Sequence, residues 1–206
     1  MFQADALQDI FVSLILPNKT NGTYIDIGSC HSMFSNNTFY FSKLGWKGIC
    51  VDFDANFFDS YNDRKNCNFV CADATELDYA NLFDENELPK CIDYLSLDID
   101  TRSLDVLKIL PFSSYEFKVI TIEHDAYING DVYQKEQREI LRKNGYVLVG
   151  SNVKVPAHVK ENAPFEDWWV KEGLIPNNFL NSIKTESLYP EDIIKILLNH
   201  RKYNPY

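Results

Sequence analysis

A chain of 206 residues with 45% apolar side chains is long enough to bury one sizeable core, so a single globular domain over 1–206 is expected. Its formal net charge of −10 argues against a nonspecific grip on nucleic acid or on an anionic membrane surface. Five cysteines without framework spacing and four scattered histidines exclude a disulfide scaffold and a zinc finger, and suit a reducing compartment.

In chain order, residues 5–16 carry apolar groups at helical spacing and stop at Pro17. A polar turn, 18–22, feeds a first strand at 24–27, which holds Asp26 and opens into the Gly28-Ser29 turn. The run Ser35-Asn36-Asn37-Thr38 starts a helix that ends near Gly45. A second strand, 48–52, finishes on Asp52, and a helix near 55–61 follows. A third strand, 67–71, leads to Asp73-Ala74-Thr75. Cys67 and Cys71 lie too far apart along it to form a disulfide. After an acidic connection at 76–90, a fourth strand begins at Ile92 and ends among Asp98 and Asp100. A short helix at 104–110 closes at Pro111, and a fifth strand, 117–123, runs into Glu123-His124-Asp125. A helix at 132–143 with an Asn144-Gly145 cap precedes a sixth strand at 146–149. Residues 165–170 read as a last edge strand or a loop, and 190–200 as a terminal amphipathic helix. Strands alternating with helices at this pace predict an α/β fold with a doubly wound, mostly parallel sheet. No run reaches membrane-spanning length, and the apolar start lacks the flanks of a secretory signal, so a soluble, cytoplasmic protein is expected.

Ligands of open α/β sheets bind beyond the carboxyl ends of the strands. The predicted ends carry Asp26, Asp52, Asp73, Asp98 with Asp100, and Glu123-His124-Asp125. Acids that merely cap helices are common, but acids at successive strand ends point to a site. An acid at the end of the second strand suits two ribose hydroxyls, which singles out Asp52. A dinucleotide fingerprint wants three glycines, whereas Gly28 stands alone here. S-adenosylmethionine carries an amino acid and no pyrophosphate, so the single glycine favours it over NAD(P).

The segments 26–30, 35–38, 45–52, 92–100 and 119–124, in that order, resemble the FkbM-type family of S-adenosylmethionine-dependent methyltransferases, and Arg138 to Tyr146 resembles its helix-then-strand segment. The resemblance covers roughly 5–152, with 153–206 as an acceptor-side and C-terminal appendage. It implies a class I, Rossmann-like methyltransferase fold and O-methylation of a hydroxyl on a sugar or other small metabolite. It also implies that Asp26, Gly28 and Ser29 hold the methionine portion, Asp52 the ribose, Asp73 and Ala74 the adenine, and Asp98 the sulfonium end.

A sugar hydroxyl needs its proton removed as it attacks, and His124, Asp125 and Asp98 are the candidate bases. Asp98, Asp100, Glu123 and Asp125 could also gather hard oxygen ligands around Mg²⁺; related small-molecule O-methyltransferases place a divalent ion at this position. The competing reading is that Arg102 pairs with these acids. Trp168 and Trp169 either pack the last strand or wall a sugar pocket. Lys154, His158 and Lys160 are candidates for an acceptor lid. The tryptophans and the terminal helix suit a homodimer as easily as a core. The rival functions are a noncatalytic ligand-binding module and, further off, an NAD(P)-dependent oxidoreductase.

Overall fold

The computed structural model describes residues 2–156 and 160–203. Its centre is a sheet built from β1 (Thr23–Ile27), β2 (Lys47–Asp52), β3 (Cys67–Cys71), β4 (Cys91–Leu97), β5 (Glu116–Glu123), β6 (Tyr146–Lys154), β7 (Pro164–Lys171) and β8 (Thr185–Glu186). The order across the sheet is β3-β2-β1-β4-β5-β7-β6-β8. The first five strands pair in parallel, and β7 runs antiparallel to both β5 and β6. The helices are α1 (Gln8–Ile15), α2 (Phe39–Lys43), α3 (Tyr79–Glu85), α4 (Ser103–Ile109), α5 (Ala126–Asn129), α6 (Val132–Lys143), α7 (Asn177–Ile183) and α8 (Pro190–Tyr203). The sheet is therefore the mostly parallel, helix-flanked one expected.

Alternation along each strand splits the core into two layers. Tyr24, Tyr94, Val119 and Trp168 face one side, where α1, α2, α7 and α8 pack. Ile25, Leu95, Ile120 and Trp169 face the other, against α3, α4 and α6. Because both faces are covered, the inner strands carry near-continuous apolar runs.

Residues 165–170 are neither an edge strand nor a loop. They form most of β7, an interior strand whose register pairs Val119 with Val170 and Glu123 with Glu166. The reason lies in the tryptophans: both are fully buried, one in each layer, and Trp168 stacks on Phe11 with centroids 4.6 Å apart. An edge position would leave so much apolar area without cover on one side. The segment after 152 thus completes the sheet as well as following it. The apolar face of α8 (Ile193, Ile194 and Leu197) is buried in the same layer as Trp168, so both features behind the homodimer expectation already pack within one chain.

Several elements lay below the resolution of the pattern. α3 hides in the acidic connection, capped by the Asp78 side chain accepting from the Asn81 amide, and buries Tyr79 and Phe83 at i, i+4 spacing. The segment Ala55–Tyr61 is a 3₁₀ helix, α5 and β8 are too short to show a period, and the seven-residue α7 buries Phe179, Leu180 and Ile183. α6 ends as expected, with Gly145 at φ +78° beyond its Asn144 cap. All five cysteines are free. No helix among the described residues is long and apolar enough to cross a membrane.

Candidate active site

The ends of β1, β2, β3 and β4 enclose a cleft of about 620 Å³. Gly28 opens it: at φ +83°, a Cβ there would stand 1.7 Å from the Asp98 carbonyl oxygen, so only glycine lets the β1 and β4 ends approach. Asp52 sits at the tip of β2, and its two carboxylate oxygens accept from the Cys30 amide at 2.8 Å and the Asp54 amide at 2.9 Å. Each oxygen keeps a free lone pair for a ligand hydroxyl. Asp73 accepts from the Thr75 amide at 2.9 Å and from its hydroxyl at 2.7 Å, bonds that hold its carboxyl below the usual range. Ala74 lines the wall beside it. Partial desolvation at the cleft wall, together with Asp52, Asp98 and Asp26, pushes the thiol of the exposed Cys30 up to about 12, so it stays neutral.

Of the residues singled out from sequence, Gly28, Asp52, Asp73, Ala74, Asp98 and Asp100 line this cleft. Asp26 and Ser29 do not: both are buried behind it. Asp26 accepts from the Thr38 hydroxyl at 2.6 Å, and burial, partly offset by that bond, pushes its carboxyl up to about 6. The Ser29 hydroxyl accepts from Tyr61 at 2.9 Å. These two side chains shape the loop and offer the cleft no polar atom.

His124 is corrected more sharply. It is 1% exposed, and its Nδ1 accepts from the Ala126 amide at 3.1 Å. Its Nε2 faces the Gln134 side-chain amide nitrogen at 2.9 Å and Asp167 at 3.6 Å. Both ring nitrogens are engaged by buried protein groups, so neither is open to an acceptor in the cleft. The signal that misled was position: β5 ends at Glu123, and the chain then turns back under β7, where the Phe165 carbonyl receives the His124 and Asp125 amides.

The carboxylates do assemble. Ligand oxygens of Asp100, Glu123 and Asp125 all lie within 4.8 Å of one another. The Asp100 amide donates to Glu123 at 2.7 Å. Burial and the neighbouring Asp98 charge hold Glu123 well above the usual carboxylate range, and burial raises Asp98 and Asp125 as well. Arg102 is not their partner, because it bonds Asp105 at 2.9 Å and the Thr75 hydroxyl at 2.8 Å. No described lysine or arginine makes an ion pair with any member of the cluster. Glu166 on β7 adds a carboxyl that sequence reading passed over, buried opposite Glu123 and pushed up to about 8 by desolvation. Lys160 lies over the Tyr127 ring at 4.4 Å, while Lys154 is turned toward Asn162 and Tyr189. His158, named with them, lies outside the described residues.

Other cleft residues carried no signal in the sequence. Phe53 and Phe57 follow Asp52, and Phe53 is an apolar side chain 81% exposed at the opening. Arg64, in the turn before β3, is almost fully buried beneath the loop.

The chain has the fold of S-adenosylmethionine-dependent methyltransferases. It is similar to a TehB-like enzyme of that class from Corynebacterium glutamicum (16% identity, 80% of this chain and 86% of the other, TM-score 0.50). A second such enzyme, from Aquifex aeolicus, shares 15% identity over 80% and 92% of the two chains at a TM-score of 0.50. The 23S rRNA methyltransferase ErmE shares 8% over 89% and 76% at 0.53. No family model and no curated protein matches the chain, so the FkbM-type resemblance rests on its motifs.

Proposed function

We propose that this protein is an S-adenosylmethionine-dependent methyltransferase of the FkbM type that O-methylates a hydroxyl of a sugar or similar small metabolite. The observation that carries the reading is the cleft: on a methyltransferase-type sheet, Gly28, Asp52, Asp73 with Ala74, and Asp98 line one continuous space at successive strand ends. When bound, the donor supplies a methyl group on a sulfonium. Gly28 and Cys30 border the end for its amino-acid part, with Asp26 and Ser29 supporting from behind. Asp52 has the lone pairs for the ribose hydroxyls. Asp73, Ala74 and the exposed ring of Phe53 fit a flat, partly apolar base.

With His124 locked, proton removal passes to Asp98, the candidate base that borders the cleft; its raised pKa strengthens it for the task. Asp125, 3% exposed, would act through the acid cluster. The donor set of that cluster, carboxylate oxygens alone, fits Mg²⁺, held by Asp100, Glu123 and Asp125 with Asp98 beside them; its chemistry would be to orient and acidify the acceptor hydroxyl. The net charge of −10 and the unpaired acids favour a small hydroxyl acceptor over a phosphodiester backbone such as the rRNA that ErmE methylates. A reducing, cytoplasmic setting suits five unpaired thiols.

Calorimetry with S-adenosylmethionine and S-adenosylhomocysteine tests the reading. Micromolar binding that Asp52→Ala weakens by about 100-fold, roughly 2.7 kcal/mol, is the expected result. No binding by the intact protein would refute it. The burial of His124 also favours a second reading, a module that binds the donor without turnover. Donor binding with no methyl transfer to any of a panel of sugars, with and without Mg²⁺, would select it.

A further inference from the structure

The loop from Ser29 to Thr38 walls one end of the cleft, yet it has little of its own to hold it. Two of its non-glycine residues, Cys30 and Ser35, take the left-handed conformation at φ +48° and +53°. The helix that follows has only five residues. Side chains from elsewhere anchor it: Asp52 at the Cys30 amide, Ser60 at Ser32, Ser96 at Asn37, and Arg64, which alone among these reaches three of its residues. Arg64, 7% exposed, donates from Nη1 to the Ser32 carbonyl at 3.1 Å and to Asn36 Oδ1 at 3.0 Å, and from Nη2 to the Thr38 hydroxyl at 2.6 Å. Thr38 in turn donates to Asp26 on β1, and Asn36 donates to the Ser29 carbonyl at 2.8 Å. Three anchor points along the loop therefore converge on one planar group.

We infer that Arg64 is a positioning residue for the donor: its guanidinium fork locks the 29–38 loop onto β1 and so sets the end of the cleft that receives the amino-acid part of S-adenosylmethionine. This rests on the methyltransferase reading above. Among the described residues no carboxylate pairs with Arg64 directly; its link to Asp26 runs through Thr38. A buried cation without a direct counter-ion is a poor stabiliser, so its geometry is its use. Its Nε has no hydrogen-bond partner among the described residues, and its guanidinium lies over the Tyr24 and Tyr61 rings, with CZ 5.4 Å and 5.6 Å from their centroids. Lysine would bring a point charge and no fork, and could not serve three acceptors in one plane.

The contacts predict a selective defect. Arg64 itself touches neither Asp52 nor Asp73. The loop it holds meets Asp52 through the Cys30 amide, while the Asp54 amide and the Asp73–Thr75 bonds at the ribose and adenine end do not involve the loop. Calorimetric titration of S-adenosylhomocysteine and of methylthioadenosine, which keeps adenine and ribose but lacks the amino acid, separates the two ends. Arg64→Met is expected to weaken S-adenosylhomocysteine by about 30-fold while changing methylthioadenosine by less than about threefold, with Arg64→Lys between it and the native protein. Asn36→Ala, which cuts the line from Arg64 to Ser29 without removing a charge, should reproduce the selective loss, and it carries the test where Arg64→Met does not fold. Equal weakening of both compounds, or of neither, in folded variants would overturn the inference and leave the methyltransferase reading intact. Failure of the native protein to bind either compound would overturn both.

Discussion

Replacing Glu166 by glutamine should remove a pH-dependent loss of stability that one buried carboxyl imposes. Glu166 is 2% exposed, and burial pushes it from 4.5 up to about 8. The Trp168 indole N–H at 2.5 Å and the Gln8 amide at 3.2 Å favour its anion and offset only part of that cost. Between 4.5 and 8 the native state holds a proton that the unfolded chain has released, so stability falls as pH rises, by about 1.4 kcal/mol per unit, and levels off above 8. From pH 6 to pH 8 that amounts to about 2 kcal/mol once the rounding near the midpoint is counted. Glutamine does not titrate, so the stability of Glu166→Gln minus that of the native protein should grow by this amount over the window. Any fixed cost of fitting the amide cancels in the slope, as do the other raised carboxyls, Asp26 and Glu123, which both proteins share. Urea unfolding followed by tryptophan fluorescence at pH 6, 7, 8 and 9 measures the difference. A gap that stays constant within about 0.5 kcal/mol would show that Glu166 ionises in the folded protein near its unfolded value, and would refute the reasoning.

Gly28→Ala should lose about 3 kcal/mol or more and close the donor cleft, because the new methyl meets the Asp98 carbonyl in a left-handed conformation; thermal melts and S-adenosylhomocysteine titration check both parts. His124→Ala should destabilise by about 1–3 kcal/mol by stranding the Ala126 amide and Gln134, with donor affinity of the folded variant within about twofold of the native value. A variant of normal stability that binds donor but fails in transfer would return His124 to the chemistry. Asp100→Asn should weaken Mn²⁺, used as a relaxation probe for the Mg²⁺ site, by about tenfold; equal relaxation enhancement in variant and native protein would remove the metal.

Much of the fold was legible because strands buried on both faces, such as β4, carry near-continuous apolar runs, and short apolar runs bounded by turn residues located six strands from 24–27 to 146–149. The acids at their ends marked the cleft for the same reason: each follows directly from a strand that could be placed. What stayed hidden depended on contacts between distant residues. Nothing local told that Trp168 and Trp169 belong to opposite layers of an interior strand, since a short apolar run fits an edge equally well. His124 looked accessible because it follows a strand end, and only the return of β7 buries it. Arg64 lies in an unremarkable polar turn, and its importance arises from three acceptors 26 to 32 residues earlier. Asp26, by contrast, was found for its place on the strand, but the buried hydroxyl of Thr38 gives it a supporting part.

The late strand β7 also dictates how the chain can be assembled. As the protein leaves the ribosome, β5 and β6 emerge before the strand that must separate them. Until residue 171 is free, neither can find its final neighbour, and the nascent sheet presents the unpaired β5 edge. Vectorial folding can therefore build the donor half, β1 to β4, during synthesis, whereas the acid cluster at the end of β5 is finished only after β7 has slid between its two partners. Once there, β7 is held from both sides by strands encoded upstream. A chain severed between β6 and β7 would yield fragments with strong reason to reassociate, the C-terminal piece supplying the missing strand.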